Sequence, residues 1–391
     1  MSLKTTVGGL TLESCIYNAS GPRTGTHQML EMIGKSKAGA VLAKSATLLK
    51  QTGNDMPRYK EIDVGGGCIM SINSEGLPNK GIDYYLADEA VASGVDNSKP
   101  YIVSLSAKNT ADNLECFGRA ANTKGVSAVE LNLACPNVIG HPIIAYDFDQ
   151  LKEVLSQFKA HKDIGKVPLG IKLPPYFDGV HWKRACDIIN AFDFIRFVVS
   201  TNTVGNALIV DTEAEQPMIR PNGGHGGLGG AVVKYTSLAN VRKLRSLLNE
   251  SIDIVGVGGV SSGEDAFNLI LCGATAVQIG TAHAVEKGTV FERVGKELLE
   301  IMNRKGYSRI SDFRGKLKEY DSERAKLSRK LAKEQTANEI SESNQINSLS
   351  SGNSFAFLMI AALLAIIAAL YKERVVLLQA MEDDGKTYSL F

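Results

Sequence analysis

The chain has 391 residues, 44% of them hydrophobic, and its 43 Lys and Arg against 42 Asp and Glu leave a formal net charge of +1. That length exceeds one minimal domain and suits one large α/β barrel with an appendage, while the neutral balance gives no electrostatic case for nucleic acid. The six cysteines (Cys15, Cys68, Cys116, Cys135, Cys186 and Cys272) form no CxxC pair, and the histidines show no H-E-x-x-H spacing, so no zinc site, iron–sulfur cluster or other metal centre is expected.

The first residues, MSLKTTVGGLTLES, lack the apolar core of a secretory signal and the arginine-rich look of a transit peptide, which predicts residence on the reducing, cytoplasmic side. Residues 5–13, with Gly8-Gly9 at the centre, read as a β-hairpin able to close a barrel floor. Eight short apolar runs follow, at 16–19, 40–43, 101–105, 128–131, 168–171, 195–199, 253–257 and 275–279. Their hydrophobicity is continuous rather than alternating, as in parallel strands covered on both faces. Helical patterns lie between them, at 148–162, 182–192, 237–248, 263–271 and 291–304. The alternation predicts an α/β fold of the (β/α)8 TIM-barrel type, with its chemistry at the C-terminal ends of the strands. Two long segments, 46–99 and 200–232, read as functional loops.

After about residue 317 the composition changes. Residues 318–333 read as a charged, solvated helix and 334–354 as a polar, flexible linker. Residues 355–371, FAFLMIAALLAIIAALY, carry no charge. A helix of that length spans roughly 25 Å against a hydrocarbon core of ~30 Å, short but sufficient for a membrane span. Lys372 and Arg374 then open a short tail, 372–391, and can snorkel into headgroups. This pattern predicts a tail anchor with the catalytic body, 1–317, left in the cytoplasm; the competing reading is a buried or self-associating helix.

The segment Glu130-Leu131-Asn132-Leu133-Ala134-Cys135-Pro136-Asn137 runs from a buried-strand pattern into a cysteine flanked by carboxamides. A thiol has a pKa near ~8.5, so Cys135 can act as a base near neutral pH if donors stabilise the thiolate. A buried structural cysteine is the competing reading. The strand ends bring Lys44, Asn132, Lys172 and Asn202 to one mouth, joined by Asn73 and Asn79 from the first long loop. Two lysines at the ends of apolar strands require an anionic or electron-accepting partner. The glycine turns at 256–260 and at Gly280-Thr281 each precede a helix and can receive a phosphate on backbone N–H groups. The run 223–230 contains GxGxxG but follows Pro221-Asn222 rather than a strand, so it is a weak dinucleotide signal; its glycines allow close approach to a flat ring. No GxSxG elbow or Walker A pattern occurs. Together these residues suit flavin-mediated dehydrogenation.

Residues 1 to about 317 resemble a class 1A dihydroorotate dehydrogenase, the fumarate-linked FMN enzyme of pyrimidine synthesis. The likeness runs in order through AKSATL (43–48), TGNDMPRY (52–59), SINSEGLPNKG (71–81), LNLACPNV (131–138), GIKLPPYFD (170–178), TNTVGN (201–206), GGLGG (226–230), GVGGVSSGEDAF (256–267) and QIGTA (278–282). It implies that Cys135 removes a proton from C5 of dihydroorotate while hydride leaves C6 for flavin N5. It also implies that Asn73, Asn132, Asn137, Asn202 and Thr203 hold the substrate, with Lys44 nearby and the backbone of Gly76 and Leu77 assisting. Lys172 would stabilise negative charge on the reduced flavin. Ala19, Ser20, Gly21, Lys44, Ser45, Asn132, Lys172, Thr203, Gly227, Gly258, Gly259, Gly280 and Thr281 would line the FMN site. Fumarate as second substrate and a homodimer follow from the same likeness.

The chain departs from the family pattern at Glu75, Ala134 and Thr203 and in a slightly expanded Gly65-Gly66-Gly67-Cys68. Glu75 stands where methionine is usual and is expected to point outward; turned inward, it would oppose an anionic substrate. Ala134 and Thr203 replace serines. Three rival readings remain at this point: the same oxidation with a membrane quinone as acceptor, an NAD-linked form with a partner subunit, and an inactive, membrane-tethered FMN-binding scaffold. Quinone-linked relatives use serine as base, so Cys135 favours fumarate, and intact Cys135, Lys44 and Lys172 oppose the scaffold.

Overall fold

The computed structural model describes residues 1–135 and 143–323. The chain opens with an antiparallel hairpin of β1 (Thr5–Val7) and β2 (Leu10–Leu12), turned through Gly8 and Gly9 at φ 56° and 90°, where glycine alone is unstrained. β3 (Ile16–Asn18), α1 (His27–Lys35) and β4 (Val41–Leu42) follow. A first excursion then carries β5 (Tyr59–Asp63), β6 (Ile69–Asn73), α2 (Ile82–Leu86) and α3 (Asp88–Val95). Regular alternation resumes through β7 (Tyr101–Leu105), α4 (Thr110–Ala121), β8 (Val126–Asn132), α5 (Phe148–Lys159), β9 (Leu169–Leu173), α6 (Gly179–Asn190) and β10 (Ile195–Ser200). A second excursion holds β11 (Val204–Leu208), β12 (Val210–Asp211), β13 (Gln216–Pro217) and β14 (His225–Gly230). The last elements are α7 (Lys234–Leu247), β15 (Asp253–Val257), α8 (Gly263–Cys272), β16 (Ala276–Ile279), α9 (Thr281–Glu286) and α10 (Thr289–Lys305).

Eight strands form one parallel sheet in the order β3-β16-β15-β10-β9-β8-β7-β4, and each coincides with one of the eight apolar runs. All five residues of β7 and of β9 are buried, as strands covered by helices outside and by the barrel's own interior require. The remaining seam, between β3 and β4, is bridged by a side chain. Asn18 Nδ2 donates to the Leu42 carbonyl at 2.7 Å and its Oδ1 accepts from the Leu42 N–H at 3.0 Å, so the amide replaces a missing strand contact. The hairpin sits under the floor: the Gly8 N–H donates to Asp253 Oδ2 at 2.9 Å and Thr5 Oγ1 to the Thr275 carbonyl at 3.1 Å.

Capping residues set the helix starts. Asn109, Asp147, Asp178 and Ser262 each accept a first-turn backbone N–H. Asp178 takes the N–H groups of Val180 and His181, which starts α6 at Gly179 rather than at 182, and α7 likewise starts at Lys234 rather than at 237.

The two long segments are not independent loops. β5, β6, β14 and β11 form an antiparallel sheet in the order β11-β14-β6-β5, so the two excursions pair with each other. A Cβ on Gly226 would lie 2.5 Å from the Asn73 carbonyl oxygen, and one on Gly230 would lie 2.4 Å from that of Ile69. The glycine run therefore lets two backbones approach.

The chain divides into two compact units, Met1–Leu317 and Lys318–Phe391. The linker, apolar helix 355–371 and tail 372–391 lie outside the described residues, as does most of the charged helix of 318–333. Among the described residues no helix is long and apolar enough to cross a membrane.

Candidate active site

The C-terminal ends of the barrel strands and the antiparallel cover enclose one cavity. Its wall collects Ala19, Ser20 and Gly21 after β3, Lys44 and Ser45 after β4, Asn132 and Cys135 at the end of β8, and Lys172 from β9. Asn202 and Thr203 follow β10, Gly258 and Gly259 follow β15, and Gly280 and Thr281 follow β16, while Asn73, Gly76 and Leu77 come from the first excursion. Two expected residues among those described, Gly227 and Asn79, are not in this wall. Asn137 lies outside the described residues. Gly227 is buried on β14 opposite Asn73, whose Nδ2 donates to its carbonyl at 3.1 Å, while Gly229 and Gly230 line the cavity. Asn79 also falls outside the wall, because its Oδ1 accepts from the Thr47 and Gly81 N–H groups and its Nδ2 donates to the Leu77 carbonyl, which makes it a bracket for the loop.

Glu75 points inward, against the expectation from sequence. Its Oε2 accepts from Lys44 Nζ at 2.7 Å, and the two side chains are only 18% and 10% exposed. The inward aim is built into the backbone. Gly76 and Leu77 have φ of 65° and 57°, the Asn54 N–H donates to the Glu75 carbonyl at 2.8 Å, and Asn54 Nδ2 to that of Ser74 at 2.9 Å. A Cβ on Gly76 would lie 2.3 Å from Asn54 Oδ1, so only glycine fits that turn.

Lys172 sits deeper, at 5% exposure. Burial pulls its ammonium below the usual lysine range, and Lys44 adds to this, while Glu130 and Cys135 oppose it. Burial likewise pushes the Glu130 carboxyl upward, against Lys172 and the amide of Gln278, which donates to Glu130 Oε2 at 2.7 Å. Two fixed cations with one paired carboxylate at the mouth leave a positive interior end, suited to an anionic or electron-rich ring. Cys135 is half-buried on the wall, whereas burial lifts the thiols of Cys15, Cys116 and Cys186 to about 12. Of these four, only Cys135 stands beside a cation on a cavity.

The asparagines are ordered by one another. Asn202 Nδ2 donates to Asn132 Oδ1 and to the Ala134 carbonyl, both at 3.1 Å, and Asn132 Oδ1 also accepts from the Ala134 N–H at 3.1 Å. Both Asn202 amide hydrogens are thus engaged in shaping the loop that carries Cys135, so this residue positions the Asn132–Cys135 loop.

Whether FMN fits can be judged from unsatisfied groups. Thr201 Oγ1 is buried on the cavity wall with no partner among the described residues, which a polar ligand atom would satisfy. The N–H groups of Gly258, Gly259 and Gly280 have no protein acceptor among the described residues either. The start of α8, by contrast, is already used: Glu297 takes the Gly263 N–H at 2.7 Å, Ser262 that of Asp265, and Asp265 that of Ser261. A phosphate therefore falls to the two glycine turns rather than to α8. A Cβ on Gly259 would lie 2.6 Å from Lys234 Cβ, which keeps that turn free of side chains. The residues fit the group. Sequence reading missed Tyr59, Ser71 and Thr201 on the wall, although all three stand in or beside motifs already noted; their facing depends on the cover, where Ser71 Oγ meets Thr281 Oγ1 at 3.0 Å.

Residues 2–302 match the dihydroorotate dehydrogenase family model. The chain is 44% identical over 317 residues to a putative dihydroorotate dehydrogenase A (fumarate) of Streptococcus agalactiae, covering 81% of this chain and 99% of that protein. It is also 44% identical to dihydroorotate dehydrogenase A (fumarate) of Lactococcus lactis subsp. cremoris and to dihydroorotate dehydrogenase (fumarate) of Saccharomyces cerevisiae, covering 81% of this chain each time and 99% and 98% of theirs. Among solved structures, the Eimeria tenella DHODH in complex with ferulenol shares the fold at TM-score 0.65 and 21% identity, over 80% of this chain and 88% of that one. The barrel, the cavity at its strand ends and relatives matched almost end to end converge on one conclusion: the chain belongs to the dihydroorotate dehydrogenase family.

Proposed function

We propose that this chain oxidises (S)-dihydroorotate to orotate in pyrimidine (UMP) synthesis, with FMN as resident cofactor and fumarate as electron acceptor. The observation that carries the reading is Cys135 on the cavity wall with Lys44 and Lys172. FMN, when bound, supplies a two-electron acceptor for the hydride from C6 and returns it to fumarate. The turns at Gly258, Gly259 and Gly280 would hold its phosphate, and Ala19, Ser20, Gly21, Ser45 and Thr201 would line its bed. Lys172, buried and cationic, would balance charge accumulating on the ring. Cys135 would take the C5 proton, its thiolate favoured by the Lys172 ammonium. Asn132, whose Oδ1 is already committed to the Cys135 loop, would offer its Nδ2 to the substrate, with Asn73 and Asn137 beside it. Lys44 would face the substrate carboxylate.

Anaerobic addition of dihydroorotate to the FMN-loaded protein should bleach the flavin, and fumarate should restore its colour faster than a soluble quinone. An unchanged spectrum would leave an inert flavin scaffold, and a quinone preference would move the acceptor to the membrane. The curated relatives support fumarate, since their names carry it.

The uncharged run 355–371, ahead of Lys372, supports a tail anchor holding a cytoplasmic catalytic unit of residues 1–317. Carbonate extraction should leave the full chain with membranes and release a chain ending near residue 340; equal release of both would exclude the anchor. Homodimer formation rests on the family likeness and is checked by light scattering.

A further inference from the structure

We infer that Glu75 sets the preference of this site between singly and doubly charged ligands, disfavouring the dianion. The inference rests on the proposed reaction, in which a monoanion, dihydroorotate, and a dianion, fumarate, use one cavity in turn. Three observations carry it. Glu75 and Lys44 both line the cavity, and their 2.7 Å ion pair already answers the charge that would otherwise greet an incoming carboxylate. The peptide that carries Glu75 is held by Asn54, bonded to its carbonyl and to that of Ser74, and by Gly76, while the carboxylate itself is held by Lys44 at low exposure. A Cβ on Gly53 would lie 2.5 Å from the Glu75 carbonyl oxygen, so the segment ahead of β5 closes on the same peptide. A carboxylate fixed in this way repels a ligand in proportion to the ligand's charge. A carboxylate free to swing out would cost every ligand the same broken ion pair.

The two cases separate with ligands of one skeleton and different charge. Binding of fumarate, monomethyl fumarate and orotate to the oxidised, FMN-loaded protein is measured by calorimetry in the wild type and in Glu75→Gln, which keeps size and hydrogen bonding but removes the charge. The substitution should tighten the two monoanions about fivefold and fumarate by more, up to about twenty-five-fold if its two carboxylates lie equally near Glu75, because each charge adds its own Coulomb repulsion. Raising the salt should shrink the fumarate gain first. Equal gains for all three ligands would mean that Glu75 moves aside, and no gain would mean that its charge is not felt; either result overturns the inference while leaving the reaction in place. Failure of the wild-type protein to bind orotate and fumarate at all would remove the proposed reaction and this inference together. Flavin content of the variant, read from its absorbance, confirms that the cavity is intact.

Discussion

The barrel strands are buried on both faces and each pairs with the next strand around the barrel, β16 closing back on β3, whereas the cover over the mouth joins two excursions whose partners, such as Asn73 and Gly227, stand 154 residues apart. β7 is buried at every position, while β5 has none of its five residues buried. The two regions also contribute different things. The strand ends supply the lysines, an asparagine and the thiol, Lys44, Lys172, Asn132 and Cys135; the cover supplies enclosure and the carboxylate paired with Lys44, Glu75. Chemistry is thus built on the rigid, deeply buried part, and ligand selection on the part with the least burial and the lowest expected opening energy.

The comparison can be broken at its strongest point. Cys135→Ser should lower flavin reduction by dihydroorotate by ~10²–10⁴ near pH 7, the usual weight of a positioned base, with the thermal midpoint unchanged; stopped-flow rates at wild-type speed would remove the thiol from the strand-end chemistry.

On the cover, Gly226→Val would drive a Cβ to 2.5 Å from the Asn73 carbonyl oxygen and 2.9 Å from Ile219 Cδ1. A cost of ~1–3 kcal/mol is expected, as for other forced overpacking. Hydrogen exchange should quicken in β5, β6, β11 and β14 while the barrel strands keep their protection. Uniform loss across both regions would show that they open as one.

His283 lies on α9, which packs against β6 and β14, and its ring meets Phe291 of α10 at 5.1 Å between centroids. Burial, and after it the charge of Arg23, pushes this imidazole down to about 4. The unfolded chain takes up the proton below pH ~6.5 and the folded chain only below about 4, so between these values the unfolded state binds more protons. Stability present above that window is therefore lost as pH falls through it, by about 3 kcal/mol for this group. His283→Leu should flatten the loss relative to wild type in denaturant titrations at pH 7 and pH 4.5. Identical slopes would place the titration elsewhere.

The smallest effect is expected at Thr201→Val. Removing a buried hydroxyl that lacks a partner among the described residues should leave the flavin-free protein as stable or slightly more so, while FMN release quickens about fivefold, the worth of one ordinary hydrogen bond. Unchanged release would mean that Thr201 does not touch the cofactor.

Particular residues show how far the chain could be read by itself. The strands could be located because a run such as Tyr101–Leu105 needs no partner information to be recognised as buried. Most site residues could be placed because a polar group at the end of such a strand has only the barrel mouth to face. Gly227 and Gly229 could not be told apart in the sequence because a run of glycines carries no side chain to mark position; the pairing with β6 sets Gly227 opposite Asn73 and Gly229 opposite Ser71, and Gly229 lines the cavity. Asn79 was misassigned because a loop asparagine serves equally well as ligand or bracket until its neighbours are known.

The amino-acid sequence by itself determined the barrel, its polar strand ends and the family, since these follow from local hydrophobic runs, strand-end residue types and motifs in order. The tertiary structure alone decided that the two long excursions join into one cover and that Glu75 turns inward to Lys44. The cover depends on backbones from distant parts of the chain meeting, at Asn73 with Gly227, and the inward turn of Glu75 on Asn54 meeting its carbonyl within the first excursion; no local pattern of side chains records where a backbone carbonyl will find its donor.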